Sequence, residues 1–169
     1  MNETKSNAVW DMSECALIFI DYQDHVLDVI FAQDRRVIEL NVLTLAKMAL
    51  AFKIPVILST VGVEMGANGP TIDSLRAVLP KVQDIDRSTM NAWDDPKFVA
   101  AVKATGRKRL VMCGISTSAC LTYPLSARLR TVTKWHSSRT PLVTAPGNST
   151  ILPYSDLPIR ELSQTQRSE

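Results

Sequence analysis

Residues 15–20 read CALIFI, an unbroken apolar run that stops at Asp21. A strand with one wet face would alternate apolar and polar residues. A run with no polar member has both faces covered, the pattern of a parallel sheet with helices above and below. PVILSTV (residues 55–61) and KRLVMCG (108–114) have the same character. Between the first two runs, Val37, Leu40, Leu43, Leu45, Met48 and Phe52 recur at three- and four-residue spacing, which predicts a helix over residues 36–52 that stops before Pro55. A short helix is expected over residues 72–79. Asp95-Pro96 reads as an N-cap with proline at the first helical position, opening a helix that runs to Thr105 and ends at Gly106. Strand and helix alternating in this way predict an α/β fold, a three-layer α/β/α sandwich around a parallel sheet. The 169 residues suit one domain over 1–169, enough chain to bury roughly two-thirds of its unfolded surface.

Ligands of such sheets bind beyond the carboxyl ends of the strands. Asp21 and Cys120 each fall just past an apolar run, and GVEMGANGPT (62–71) is an irregular loop on the same side of the second strand. Charge excludes some partners. With 19 basic and 17 acidic residues interspersed and a net charge of +2, there is no footprint for nucleic acid or an anionic membrane, so a small-molecule substrate is expected. Cys15, Cys113 and Cys120 show no C-x-x-C spacing, which argues against disulfides and a structural zinc site and for reduced thiols. The polar N-terminal segment and the lack of any apolar run near the roughly 18 residues of a membrane helix point to a soluble, cytoplasmic protein.

Cys120 closes VMCGISTSAC, residues 111–120. A cysteine in the first turn of a helix feels the partial positive charge of the free amides, which favours thiolate, the nucleophilic form. Gly114 and the small residues Ser116, Thr117, Ser118 and Ala119 permit tight turns that aim amide N–H groups at one point, as an oxyanion requires. The plainer alternative is a small buried hydrophobe.

ALIFIDYQ, the loop GANGP and MNAWDDPKFVAAVKATGRKRLVMCGISTSAC together resemble the isochorismatase-like cysteine hydrolase superfamily, closest to its YcaC-type branch, over about residues 13–124. The most specific element is the G-I-x-T-x-x-C turn combined with a strand ending in D-x-Q. The resemblance implies a triad of Asp21, Arg87 and Cys120, a non-proline cis peptide between Ile115 and Ser116, and an oxyanion hole from the N–H groups of Ser116 and Cys120. It implies nucleophilic acyl transfer on a small amide or related C–N substrate through a thioester, in a homo-oligomer. Much of the superfamily has lysine where this chain has Arg87. A guanidinium does not give up its proton, so Arg87 would supply only charge and fixed hydrogen bonds, the alternative being a surface salt bridge. Gln23, Trp93 and Thr117 are candidate pocket residues, with packing the alternative for Trp93 and Phe98. His25 is expected to be a hydrogen-bonded bystander. Nicotinamidase-like relatives carry a metal on one Asp and two His after the second strand; STVGVEMGANGP holds no histidine, so no metal and no cofactor are expected.

The likeness stops after Pro124, where LSARLRTVTKWHSSRTPLVTAPGNST shows neither a buried strand nor a helical period. Codons for Thr131 to Pro141 can be chosen so that reading from the third base gives GYKVAFIADA, a buried strand of the kind the family would place there. The same shift, read from the last base of the Pro124 codon through the start of the Thr131 codon, can give ALGAAED, and Ser149–Asp156 can encode HDTAVLR. A one-base change of frame near the Pro124 codon is therefore expected, with later strands of the sheet missing or altered and weakly ordered chain from Thr131. Two rival functions follow: a catalytically inactive family member acting as a binding or structural oligomer, and a non-functional frameshift product.

Overall fold

The protein is described by a computed structural model, which covers residues 11–29 and 34–115. Among the described residues four strands, β1 (Cys15–Ile20), β2 (Val56–Val61), β3 (Asp84–Arg87) and β4 (Arg109–Gly114), form one sheet in the order β3-β2-β1-β4. All three pairings are parallel. Helix α1 (Asp24–Asp28) follows β1, α2 (Arg35–Ala51) leads into β2, α3 (Asp73–Val78) joins β2 to β3, and α4 (Pro96–Ala104) joins β3 to β4.

Every residue of β1 is buried, as its unbroken apolar run requires. Alternate side chains feed two cores. Leu17 and Phe19 join Ile38, Val42, Ala46, Ala49 and Leu75 on the α2/α3 face. Ala16, Ile18 and Ile20 join Phe98, Val102, Leu110 and Met112 on the α4 face. Right-handed crossovers explain the division: the chain steps one way through β1, β2 and β3, then returns past β1 to β4, so α4 must lie on the opposite face. The expected three-layer α/β/α sandwich is thus present, and strand order reverses between β1 and β4.

Local signals account for the boundaries. The Asp95 side chain accepts from Phe98 N at 2.9 Å ahead of Pro96, and Gly106, with φ +64°, follows the Thr105 cap. Helix α2 begins at an Asp34 N-cap and extends close to the predicted range, yet the residues whose spacing revealed it are not the ones it buries most. Its innermost residues are Ile38, Val42, Ala46 and Ala49, whereas Val37, Leu40, Met48 and Phe52 are exposed. Strand β3, Asp-Ile-Asp-Arg, escaped the sequence reading because it is a short, acidic strand at the sheet's edge, with no apolar run to betray it.

Candidate active site

The ends of the four strands are level. Ile20 is in register with Ser59 and Gly114, and Val61 with Arg87. Asp21 is the first residue beyond β1, and it turns the chain with φ +62°, one of two positive-φ residues other than glycine among the described residues. Its N–H donates to Ser59 O at 2.9 Å, so the turn is fixed to β2. Such a conformation is worth 1–3 kcal/mol of strain at most sites, is tolerated better by aspartate, and concentrates where a side chain must be aimed.

Arg87, the last residue of β3, reaches across the end of β2 to Asp21. Its Nη1 donates to Asp21 Oδ1 at 2.7 Å and its Nη2 to Oδ2 at 2.8 Å, a bidentate pair with both side chains almost wholly out of contact with solvent. Nη1 also meets Ser59 Oγ at 3.0 Å and Thr60 O at 2.9 Å, and Nη2 meets Met90 O at 3.3 Å. Among the described residues its buried Nε finds no acceptor. The alternative of a surface salt bridge for Arg87 is thereby set aside: it is a buried cation held by five oxygens. Ser59 and Thr60 were not singled out from the sequence. The available signal was two hydroxyl residues closing an otherwise apolar strand, VILSTV.

The loop beyond β2 is tied down from below. The Asp86 carboxylate accepts from Thr60 Oγ1 at 3.0 Å, Val63 N at 3.1 Å and Glu64 N at 2.9 Å. Burial would push the Asp86 carboxyl up, but these hydrogen bonds outweigh it and hold the group below its ordinary value. Gly62, at φ +74°, donates to Arg87 O at 2.8 Å and accepts from Ala67 N, a turn that a side chain would strain. Gln23 is fully buried; it donates to Val61 O and Gly69 O and accepts from Val61 N, so its amide joins β1 to the far side of the loop. All its polar atoms thus serve backbone, which makes it a brace for the site. His25 Nδ1 accepts from Gly69 N at 3.2 Å, the bystander role expected of it. Trp93, in a 3-10 turn at Ala92–Asp94, stacks edge-on against Phe98 with ring centres 5.7 Å apart and is only partly buried.

Cys113 and Cys15 are buried in strands. Burial pushes the Cys113 thiol up to about 12, and burial is also the main reason the Cys15 thiol is raised. Neither has the surroundings of a nucleophile. Cys120, Ser116, Thr117 and the Ile115–Ser116 peptide lie outside the described residues, as does the chain from Pro124 onward. Gly114, the last residue of β4, is in register with Ile20, one residue before Asp21. Among the described residues no group of three or more His, Cys, Asp or Glu could hold a metal, and no helix is long and apolar enough to cross a membrane.

A parallel sheet between two layers of helices is the framework of a known class, and the chain belongs to it: residues 15–127 match the isochorismatase domain, so this is a member of the isochorismatase-like hydrolase family. It is 37% identical over 122 residues to the probable hydrolase YcaC of Escherichia coli strain K12, an alignment covering 72% of this chain and 58% of that protein. The YcaC structure from Pseudomonas aeruginosa, with hexane-2,5-diol and covalent acrylamide, superimposes with a TM-score of 0.71 at 32% identity, over 82% of this chain and 65% of that one. The E. coli YcaC structure, an octameric hydrolase of unknown specificity, gives 0.71 and 32% over 83% and 66%. This chain therefore spans less than two-thirds of each relative. An isochorismatase family protein from Burkholderia thailandensis shares the fold alone, with a TM-score of 0.64 at 16% identity over 78% of this chain and 76% of that one.

Proposed function

We propose that the chain is a cysteine hydrolase that cleaves a small amide or related C–N substrate through a thioester, with Cys120 as nucleophile, Asp21 as proton carrier and Arg87 as the fixed cation that orients Asp21. The observation that carries this reading is the buried bidentate pair of Asp21 and Arg87 beside the strand end from which the Cys120 segment departs. Arg87 occupies one lone pair on each Asp21 oxygen, and each oxygen keeps another for a proton. Asp21 takes the Cys120 proton, and the thiolate adds to the carbonyl carbon. The N–H groups of Ser116 and Cys120 hold the oxyanion, the C–N bond breaks, and Asp21 returns the proton to the departing amine. Water then cleaves the thioester, releasing the acid and restoring the thiol. Trp93 and Thr117 line the substrate's path and Gln23 braces it.

The covalent acrylamide of the P. aeruginosa relative supports the choice of nucleophile, because acrylamide is an electrophile that soft anions such as thiolates attack. No metal or cofactor enters the scheme. By analogy with the octameric E. coli relative, the chain works as a homo-oligomer; its cysteines, without disulfide spacing, suit the cytoplasm. The test is a panel of small aliphatic amides with amine release and intact mass as readouts. Release that disappears in Cys120→Ser, with an acyl adduct on residue 120 of the parent, supports the mechanism. Release that survives in Cys120→Ser overturns it.

A further inference from the structure

Helix α2 presents two apolar faces. One, built from Ile38, Val42, Ala46 and Ala49, is buried against the sheet. On the opposite side Val37, Leu40 and Met48 are 43, 65 and 47% exposed, with the exposed Thr44 and Ala51 among them. At 3.6 residues per turn, Val37, Leu40, Thr44, Met48 and Ala51 fall within an arc of about 80°, and the stripe is about 21 Å long. A surface helix ordinarily turns a polar face to water. A helix apolar on both sides is one with neighbours on both sides.

The pattern of the stripe identifies the neighbour. Counted outwards from Thr44, Leu40 and Met48 lie at matching distances on either side, and Val37 and Ala51 at matching distances beyond them. A second copy of α2, antiparallel about a two-fold axis at Thr44, would set Leu40 of one copy on Met48 of the other, and Val37 on the smaller Ala51. Charge selects the same orientation. At the N-terminal end Asp24, Asp28, Asp34 and Glu39 outnumber Arg35 and Arg36, and Arg35 is already paired with Asp24, Asp28 and Glu39. The C-terminal end carries Lys47 and Lys53. Antiparallel packing opposes the unlike ends and the helix dipoles; parallel packing would oppose like ends.

We infer that the outer face of α2 is a self-complementary contact between two copies of this chain. This rests on the proposed homo-oligomer and names its surface, and it is independent of the cysteine chemistry. The full chain is measured by sedimentation velocity beside Leu40→Glu/Met48→Glu, with circular dichroism and a thermal melt as folding controls. The expected result is a parent larger than a monomer and a folded variant of at most half the parent's mass. Thr44→Cys, at the two-fold axis, should give a disulfide-linked dimer on mild oxidation, whereas Lys103→Cys, exposed on α4 across the sheet, should not. A parent that is oligomeric while the folded glutamate variant keeps its mass overturns this surface and leaves the oligomer standing. A monomeric parent overturns both. If the glutamate variant does not fold, the cysteine pair decides: equal crosslinking at the two positions overturns the contact.

Discussion

Strand β1 carries an ion pair at each end, and the two differ in every respect that matters energetically. At the amino end Glu14 meets Arg109 through one contact of 3.0 Å, with side chains 41% and 23% exposed. At the carboxyl end Asp21 and Arg87 meet twice, at 2% and 0% exposure, with Ser59, Thr60 and Met90 completing the arginine's shell. The first pair is solvated and contributes about 0–1 kcal/mol. The second has lost its water, a penalty of several kcal/mol per ion that only near-ideal geometry offsets. Two apolar residues would hold these strand ends together equally well. A sheet already filled by the runs of β1, β2 and β4 has no need of a buried charge pair for stability, and the proposed function gives this pair, on a backbone turn with positive φ, its use.

Breaking the buried pair should have the largest effect. Arg87→Met leaves Asp21 buried without its cation and should lower stability by about 3–5 kcal/mol, read from the urea midpoint. Replacing both partners, Asp21→Leu with Arg87→Met, should recover most of that loss while amide hydrolysis stays absent. A single variant that unfolds at the parent's urea concentration would erase the contrast between the two ends. Asp86 comes next. Its carboxyl titrates lower in the folded chain than in the unfolded one, so the stabilisation it gives is present above the ordinary carboxylate value and is lost as pH falls through the lowered folded value. Asp86→Asn should therefore cost about 1 kcal/mol at neutral pH, and the acid limb of its stability–pH curve should be shallower than the parent's. A parallel displacement of the two curves would show that the charge is not what holds the loop. Smallest is Arg109→Gln, expected to change stability by less than about 1 kcal/mol and to shrink further in high salt. A loss as large as that of Arg87→Met would contradict the assignment of this end as merely solvated.

The fold was legible because buried parallel strands leave unbroken apolar runs, and three of the four strands have one. The fourth, Asp84–Arg87, was invisible as a strand because its polar residues are used individually: Asp84 accepts from Thr71 at 2.6 Å, Asp86 gathers the loop, and Arg87 crosses to Asp21. The apolar run before Asp21 placed it at the carboxyl end of a strand, but its pairing with Arg87 emerged from a resemblance, and periodicity alone would not have found it. Ser59, Thr60 and Asp86 were missed because their roles depend on register between β2 and β3, which no local pattern encodes. Helix α2 was found through its outer residues, since Leu and Met at regular spacing look alike whether they face a core or another surface.

The proposed mechanism requires one thiol, that of Cys120, to be activated while the two in strands, Cys15 and Cys113, are not. Alkylation by iodoacetamide near neutral pH, followed residue by residue by mass spectrometry, tests it directly. Cys113, pushed up to about 12 by burial, and Cys15, also raised, should be modified slowly. Cys120 should react at least about tenfold faster than either, as a thiolate does, and should lose that advantage in Asp21→Asn. Three thiols modified at one slow rate, or a Cys120 indifferent to residue 21, would overturn that mechanism.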